Sequence, residues 1–390
     1  MPERGLPCNF LAVRRPTLSH VDIVLREPSY GWTHDDGSLV VPTTGQVLSE
    51  FVDRLNVFKN RKNWLPLSSW LAIVALAPLF IAFFGWHFTW PLAALGFVYS
   101  MVLMGSHGTV WYHRYGTHRA FEFSHPFWRF VTRNLVIKLV PEEIYIVSHY
   151  VHHMKSDTPG DPYNPNGGLL YCFLADAIHQ PIAHDLSEAD YKRAVNYVAH
   201  TGIPANSYEQ YLHWGTIAHP VKLWLHRVGN WGFWYAVFFM IGGHALATCL
   251  FASSIFWGVG VRTFNYGAHG SGKGSLQKDG EDFHRQDLSI NQLWPGFVAG
   301  EWHNNHHLFG WSARSGYKPW QLDFPYYYVR FLHLIGGVSS YKDSKEAFYS
   351  KHYLPYLAAK KAARAGELRG ATGSPTDGVP GNESNPTATS

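Results

Sequence analysis

The sequence has 390 residues, of which only 15% are charged whereas 16% are aromatic, a balance that departs from soluble domains and indicates burial in a membrane. The net charge of +4 gives no basis for nucleic-acid binding, because the basic residues flank apolar segments instead of forming a stripe. The three cysteines, Cys8, Cys172 and Cys249, have no paired spacing, which argues against a disulfide framework, a zinc ribbon or an iron–sulfur cluster.

The N-terminal segment, residues 1–63, is mixed and polar. It shows no charged-then-apolar signal peptide with a small-residue cleavage site. Its end, from Arg54 to Lys62, is basic and directly precedes the first apolar window. By the positive-inside rule, we expect this segment to lie in the cytoplasm.

Apolar windows predict four transmembrane helices arranged as two hairpins. The turn of the first hairpin, residues 85–90, carries no lysine or arginine, which suits the outer side of the membrane. Four crossings return both termini to the cytoplasm. The predicted spans are residues 65–86, 87–110, 231–246 and 247–264.

Taken as a whole, the chain is predicted to be an all-α integral membrane protein. In a bacterial cell, we expect it to lie in the inner membrane. Residues 120–228 contain no bilayer-length apolar window and are expected to form a cytoplasmic helical layer. The aromatic stretch 320–331 is too interrupted for a span and predicts an interfacial helix. The membrane domain is predicted to cover residues 64–345. The C-terminal segment 346–390 follows and ends in a disordered tail.

Histidines recur at helical spacing near the predicted cytoplasmic ends of these helices. Imidazole is a common ligand of iron, copper and zinc, and a His-x-x-His-His run puts three rings on one face of a helix. Two such runs and one His-x4-His supply more ligands than a single zinc ion accepts, which favours a pair of redox irons. A lone histidine, such as His107 or His244, is more often structural. The nine candidates are His113, His118, His149, His152, His153, His269, His303, His306 and His307.

Carboxylates near such a site must offset the metal charge and orient the rings. The candidates are Asp157 and Asp161 in a loop, Glu142 and Glu143 at a helix start, and Glu301. A solvated loop and a helix-capping role are equally good interpretations of the first four. Glu301 is favoured by its position beside the third cluster.

These motifs resemble the membrane fatty acid desaturase family, especially its acyl-CoA desaturase-like branch. The resemblance rests on the clusters, their order, the hairpins and Asn265-x3-His269, and covers about residues 60–340. It implies two irons held by the nine histidines, with Asn265 bound through water, and O2 as cosubstrate. It also implies a fatty acid or acyl-CoA as substrate. A separate ferredoxin- or cytochrome-type electron donor is expected, because neither a His-Pro-Gly-Gly haem motif nor clustered cysteines occur.

The chain departs from the usual pattern of that family at three places. Gly300-Glu301-Trp302-His303 is one residue short, Tyr145 stands where the approach to the second cluster usually has tryptophan, and residues 172–230 differ from stearoyl-type desaturases. These features resemble the branch of membrane fatty acid decarboxylases that form terminal alkenes.

Four functions follow from these observations, in order of preference. The first is oxidative decarboxylation of a free fatty acid to a 1-alkene, with Arg114, Arg119 or Arg262 near the carboxylate. Each of these arginines could equally be a lipid-facing interfacial residue. The second is insertion of a mid-chain, delta-9-type double bond into an acyl-CoA, and the third is hydroxylation. A metal or haem carrier comes last, because its ligands would lie near the bilayer midplane instead of at helix ends.

Overall fold

The computed structural model describes residues 19–269 and 302–372, apart from the side chains of Asn265, Asn304 and residues 366–372. One compact unit ends at Asp343 and a second begins at Ser344. In the first unit, the α-helices are α1 (His20–Ile23), α2 (Thr44–Leu55), α3 (Trp64–Ala82), α4 (Trp90–Leu103), α5 (Pro126–Asn134), α6 (Glu142–Lys155), α7 (Leu169–Phe173), α8 (Ala175–Ile178), α9 (Glu188–Val198), α10 (Tyr208–Trp214), α11 (Pro220–Ala268), α12 (His303–Leu308) and α13 (Phe324–Leu334).

Within the part of the chain that the structure describes, three helical elements are long and apolar enough to cross a membrane: Arg61–His87, Trp90–Thr117 and Pro220–Phe264. The first two are separated by a break after His87, within the predicted turn at 85–90. The Thr89 side chain caps the helix that follows the break. Trp86 and Trp90 at this tip are 75% and 79% exposed, as expected for aromatic rings at a membrane–water interface.

Helix α4 continues without a break into the π-helical segment Met104–Thr117. This segment is almost fully buried, and it carries His113 out of the apolar part of the helix. The sequence predicted such a continuation into the first histidine cluster. π-Helical turns often occur at functional sites, because they change the direction in which side chains project.

Helix α11 doubles back on itself at Gly242–Gly243. Gly243 has a φ of +64°, in the left-handed region that glycine adopts readily. The rings of Tyr235 and Phe251 lie 5.7 Å apart, although a straight helix would separate residues sixteen positions apart by about 24 Å. The element therefore consists of two antiparallel arms. Its turn lies at 242–243 and not at the predicted 246–247.

A two-stranded antiparallel sheet corrects the all-α prediction. Strand β1 (Phe121–Phe123) pairs with β2 (Val338–Tyr341), and Phe121 lies opposite Tyr341. Contacts across this sheet join residues 217 positions apart, so the sequence contained no hairpin signal that could have revealed it. The fold is therefore mostly helical, and the sheet ties the segment after the first histidine cluster to the segment after the third.

Helix α13 overlaps the stretch for which the sequence predicts an interfacial helix. Phe324, Tyr327, Phe331 and Leu334 follow one another at three- and four-residue spacing and are 43–77% exposed. Such an apolar face suits a helix that lies in a membrane interface. Its contact with lipid remains a prediction.

The described part of the second unit is helical from Lys345 onward. It contains α14 (Lys345–Phe348), the π-helical segment Tyr349–Tyr353 and α15 (Leu354–Thr372). Residues 373–390, which include most of the predicted disordered tail, lie outside the described residues.

Candidate metal centre and substrate cavities

The nine predicted histidines come together in two groups. Within each group, every side chain offers a ligand nitrogen, and these nitrogens all lie within 4.8 Å of one another. The five-histidine group contains His113, His118, His149, His153 and His306. The four-histidine group contains His152, His269, His303 and His307.

Each His-x-x-His-His run contributes to both groups. On α6, the first and last histidines of the run belong to the five-histidine group, whereas the middle one, His152, belongs to the other. On α12, the first and last histidines of the run, His303 and His307, belong to the four-histidine group, whereas the middle one, His306, belongs to the five-histidine group. The sequence predicted three rings on one helix face but not their division between two groups. The i and i+4 rings stay together, and the i+3 ring points to the neighbouring group.

The nitrogens within each group converge at short range. The Nε2 atom of His153 lies 3.0 Å from that of His306 and 3.2 Å from that of His149. In the other group, the Nε2 atoms of His303 and His307 are 3.0 Å apart. Nitrogens bound to one ion at about 2.1 Å lie about 3 Å apart when they meet at right angles. The spacing in both groups therefore fits metal coordination.

Burial keeps these imidazoles in the form that binds a metal. It lowers the pKa of six of them well below the usual value, and the charge that each neighbouring histidine would carry lowers it further. A neutral imidazole has a free lone pair, whereas a protonated one does not. The six residues are His118, His149, His153, His303, His306 and His307.

Two aspartates of the loop after α6 orient rings of the four-histidine group. The Oδ1 atom of Asp161 lies 2.9 Å from Nδ1 of His152, and that of Asp157 lies 2.9 Å from Nδ1 of His269. Burial opposes ionisation of Asp157, but its hydrogen bond with His269 lowers its pKa. Hydrogen bonds of this kind fix a ring so that its other nitrogen faces the metal. The sequence identified both aspartates as candidates.

The other predicted residues either lie away from the histidines or fall outside the described part of the structure. Glu142 and Glu143 lie in a separate cluster, described below, and so do not orient the histidines. Glu301 and the side chain of Asn265 lie outside the described residues. Tyr163 was not predicted, yet its hydroxyl lies 3.2 Å from Nδ1 of His149.

Two of the three arginines predicted near a substrate carboxylate form ion pairs with aspartates of the protein. Arg114 forms a buried ion pair with Asp323, 2.9 Å between Nη2 and Oδ1. Arg262 pairs with Asp176, and Arg119 donates to the backbone carbonyl of Asn196. The charges of Arg114 and Arg262 are therefore used to hold segments of the fold together, whereas Arg119 is exposed.

The chain matches the fatty acid desaturase family over residues 88–342. It belongs to that family. This desaturase-family enzyme is therefore an integral membrane oxidoreductase with histidine metal-binding clusters, and the sequence resemblance to the family is confirmed.

Several named desaturases are similar to this enzyme along most of its length. The sn-1 stearoyl-lipid 9-desaturase of Anabaena variabilis is 28% identical over 291 residues, which cover 73% of this chain and 95% of that protein. Delta-9 acyl-lipid desaturase 1 of Arabidopsis thaliana is 28% identical over 312 residues, covering 74% and 89% respectively. Icosanoyl-CoA 5-desaturase of Limnanthes douglasii is 26% identical over 314 residues, covering 77% and 78%.

A narrow apolar cavity of about 20 Å³ lies beside both histidine groups of the desaturase-family enzyme. Tyr145, in its wall, stacks on His149 with ring centroids 5.0 Å apart. Phe264, in the same wall, meets His303 edge-on at 5.4 Å. One aromatic side chain thus stands between this apolar cavity and a histidine of each group.

A second, larger cavity of about 280 Å³ adjoins the first, and Val140 lines both. Its wall combines apolar residues with ionisable side chains from α5, α6 and the first arm of α11. The cationic side chains are those of Arg133, Lys138, Lys222 and Arg227, and the acidic ones are Glu142 and Glu143. We call it the cationic cavity.

Proposed function

We propose that this enzyme uses two irons, O2 and electrons from a separate donor to introduce a double bond into a fatty acyl chain. The observation that carries the proposal is the division of nine histidines into groups of five and four beside an apolar cavity. We assign the five-histidine group to one ion. The four-histidine group takes the other, with Asn265 joined to it through water, as the family resemblance implies. Iron bound there would supply the O2-dependent removal of hydrogen from unreactive C–H bonds.

The chain's own residues position the substrate and protect the site. Asp157 and Asp161 hold the rings of the four-histidine group in place. Tyr145 and Phe264 provide apolar surface next to the histidines, where an alkyl chain displaces water. A chain held in this position presents a fixed pair of carbons to the metal groups, and the depth of insertion decides which pair reacts.

The names of the relatives favour desaturation over the decarboxylation that the sequence placed first. They describe desaturases of acyl-lipids or acyl-CoA, at position 9 or 5 in the three cases given. Decarboxylation of a free acid to a 1-alkene therefore becomes the second candidate. The cationic cavity favours it, since its four cationic side chains could hold a free carboxylate.

Product analysis with metal analysis tests the function. We expect lipids from cells that express the enzyme to contain acyl chains with an unchanged number of carbons and one additional double bond. We also expect the purified enzyme to contain two irons per chain. An alkene one carbon shorter than its parent acid would establish the second candidate, whereas a single tightly bound zinc would contradict both.

The orientation in the membrane is also part of the proposal. Four crossings, two of them the arms of α11, would place both termini and the histidine groups on the cytoplasmic side, where reductant is available. In enzyme carrying Trp86→Cys or Ser384→Cys, we expect a membrane-impermeant thiol reagent added outside to label only the first. Labelling of both positions from the same side would contradict the four-span topology.

A further inference from the structure

We propose that Tyr30 and His179 form a redox pair that protects the metal centre: Tyr30 gives the centre one electron, by way of Tyr171, when O2 is activated without a fatty substrate in place. The inference rests on the proposed function in one respect, namely that iron at the histidine groups activates O2. It adds a protective activity, and the residues that carry it lie outside the metal site.

An oxidant that removes hydrogen from unreactive C–H bonds also attacks the protein when no substrate is present to react. The histidine ligands are then the nearest targets. Tyrosine and tryptophan side chains lose one electron more readily than aliphatic ones, so a line of them can supply that electron from the protein surface. Such a line needs contact with a metal ligand, close contacts along its length and a proton acceptor at its outer end.

The inner end of the line is the hydrogen bond between His152 and Asp161. Nδ1 of His152 lies 2.9 Å from Oδ1 of Asp161, and the hydroxyl of Tyr171 donates to the backbone carbonyl of the same aspartate at 3.2 Å. Tyr163 adds a second contact here, because its ring centroid lies 4.8 Å from that of His152 and it belongs to the same buried cluster as Tyr171. Only Asp161 and Tyr163 therefore separate Tyr171 from this ligand candidate.

Tyr171 and His179 form the middle of the line. Their rings stack with centroids 3.8 Å apart and planes 23° apart. Both side chains are buried, so water does not separate them. Because electron transfer slows steeply with distance, a stacked contact of this kind provides a short step between the inner and outer ends.

The outer end is the hydrogen bond between the hydroxyl of Tyr30 and Nε2 of His179, at 2.5 Å. Burial raises the pKa of Tyr30, so its hydroxyl keeps its proton at neutral pH and its oxidation requires a proton acceptor. Burial also lowers the pKa of His179 well below the usual value. The imidazole is therefore neutral and has a lone pair that accepts this proton.

The line reaches the protein surface at Tyr30 and Trp32. Both side chains are partly exposed, and the ring of Trp32 lies 5.8 Å from that of His179. Trp32 also lines a surface hollow of about 270 Å³, which has room for a small reductant such as ascorbate. Oxidised Tyr30 is therefore within reach of a reductant in solution.

Electrons and protons balance in two steps. In the first, the O–H bond of Tyr30 breaks, its proton moves to His179 and its electron passes through Tyr171 to the metal centre. In the second, ascorbate or a similar reductant returns one electron to Tyr30, and His179 returns the proton. Tyr171 and His179 end unchanged. One oxidising equivalent at the centre is thus consumed by one electron from solution.

Peptide mass spectrometry of enzyme that has activated O2 without substrate tests the proposal. The purified, iron-loaded enzyme in detergent is reduced with dithionite, exposed to O2 without added fatty substrate and then digested. We expect more oxygen adducts at Tyr30 and Trp32 than at Trp86, although Trp86 is 75% exposed and an oxidant in solution would favour it. Ascorbate present during the exposure to O2 should suppress the adducts at Tyr30.

Tyr171→Phe interrupts the line while keeping a ring at the same position. Phenylalanine is much harder to oxidise and has no hydroxyl to reach Asp161, so we expect the adducts at Tyr30 to be lost and adducts at His152 to appear instead. The matched control is Tyr208→Phe, which also removes a hydroxyl that donates to a backbone carbonyl, that of Leu186 at 3.0 Å. It should leave the adducts at Tyr30 unchanged. Iron analysis checks that both variants keep their metal.

Three outcomes would overturn the proposal. They are adducts at Tyr30 that persist in Tyr171→Phe, equal adducts in metal-free enzyme treated in the same way, and adducts concentrated at Tyr145, which also stacks on a histidine ligand candidate. The lipid analysis described above tests the proposed function separately. If desaturated lipids form but Tyr30 is not oxidised, the redox pair is wrong and the proposed function stands. If Tyr30 is oxidised by way of Tyr171 but no double bond forms, the proposed function fails alone.

Discussion

Replacing either His153 or His307 with alanine is expected to abolish turnover of the fatty substrate. Each residue belongs to a different group and lies about 3 Å, nitrogen to nitrogen, from another member of its group. Loss of an outer partner of a metal ligand typically costs 10–100-fold in affinity or activity, so loss of a ligand itself should cost at least about 100-fold. We also expect the iron content to fall from two per chain towards one, which elemental analysis of the purified variants measures.

His244→Ala is the matched control for these two variants. His244 lies just after the turn of α11, where its Nδ1 atom hydrogen-bonds with the hydroxyl of Tyr235, and it belongs to neither histidine group. Its replacement should leave iron content and turnover close to those of the wild type. All three variants should still insert into the membrane, because His153 and His307 lie outside the apolar helices and His244→Ala makes its own helix more apolar. Full activity of His153→Ala or His307→Ala would remove that residue from the ligand set.

The sequence could identify the histidines because their spacing is a local property. Ring positions i, i+3 and i+4 share a helix face whatever the rest of the chain does. Their division between two groups is a tertiary property, since it depends on how α6 and α12 face each other. This is why the middle histidine of the α6 run, His152, lies apart from its two neighbours in the sequence.

The sequence also carried signals for features that were placed wrongly or missed. Consecutive glycines at 242–243 mark a backbone that can reverse, and they are a better indicator of the α11 turn than the length of the apolar windows. Lys138 and Glu142 form a buried ion pair at 3.0 Å, but α6 begins only at Glu142, so helical spacing gave no signal for this pair. The pairing of β1 with β2 had no such signal, because its partners are distant in the sequence.

Charged residues next to the membrane helices were the least predictable part of the chain. Sequence reasoning assigned Arg54 to the basic flank of the first span, but this arginine is 1% exposed and pairs with Glu50 at 2.5 Å. Arg114 likewise pairs with Asp323 instead of reaching a substrate. A sequence shows that an arginine is present, whereas its partner becomes visible only when distant segments are brought together.

The Arg114–Asp323 pair explains how the segment after the third histidine cluster is held against the first. Arg114 directly follows the ligand candidate His113, and both members of the ion pair are about 1–2% exposed. The carboxylate of Asp323 also accepts backbone hydrogen bonds from Ser315 at 2.7 Å and from Tyr326 at 3.0 Å. This one carboxylate therefore connects the π-helical extension of α4 with the loop and helix that follow α12.

Asp323→Ala is accordingly expected to destabilise the enzyme by about 3–5 kcal/mol, because it leaves the Arg114 guanidinium buried without its counter-charge. The measurement is the free energy of unfolding in detergent, with iron retention followed in parallel, since a displaced loop would draw α12 away from its partners. Asp53→Ala is the control. Its pair with Lys59 is more than half exposed on both sides, and such pairs contribute about 0–1 kcal/mol. If both variants unfold with the same small loss, the buried pair does not hold α12 in place, and the histidine groups must be positioned by the packing of α6 and α11 alone.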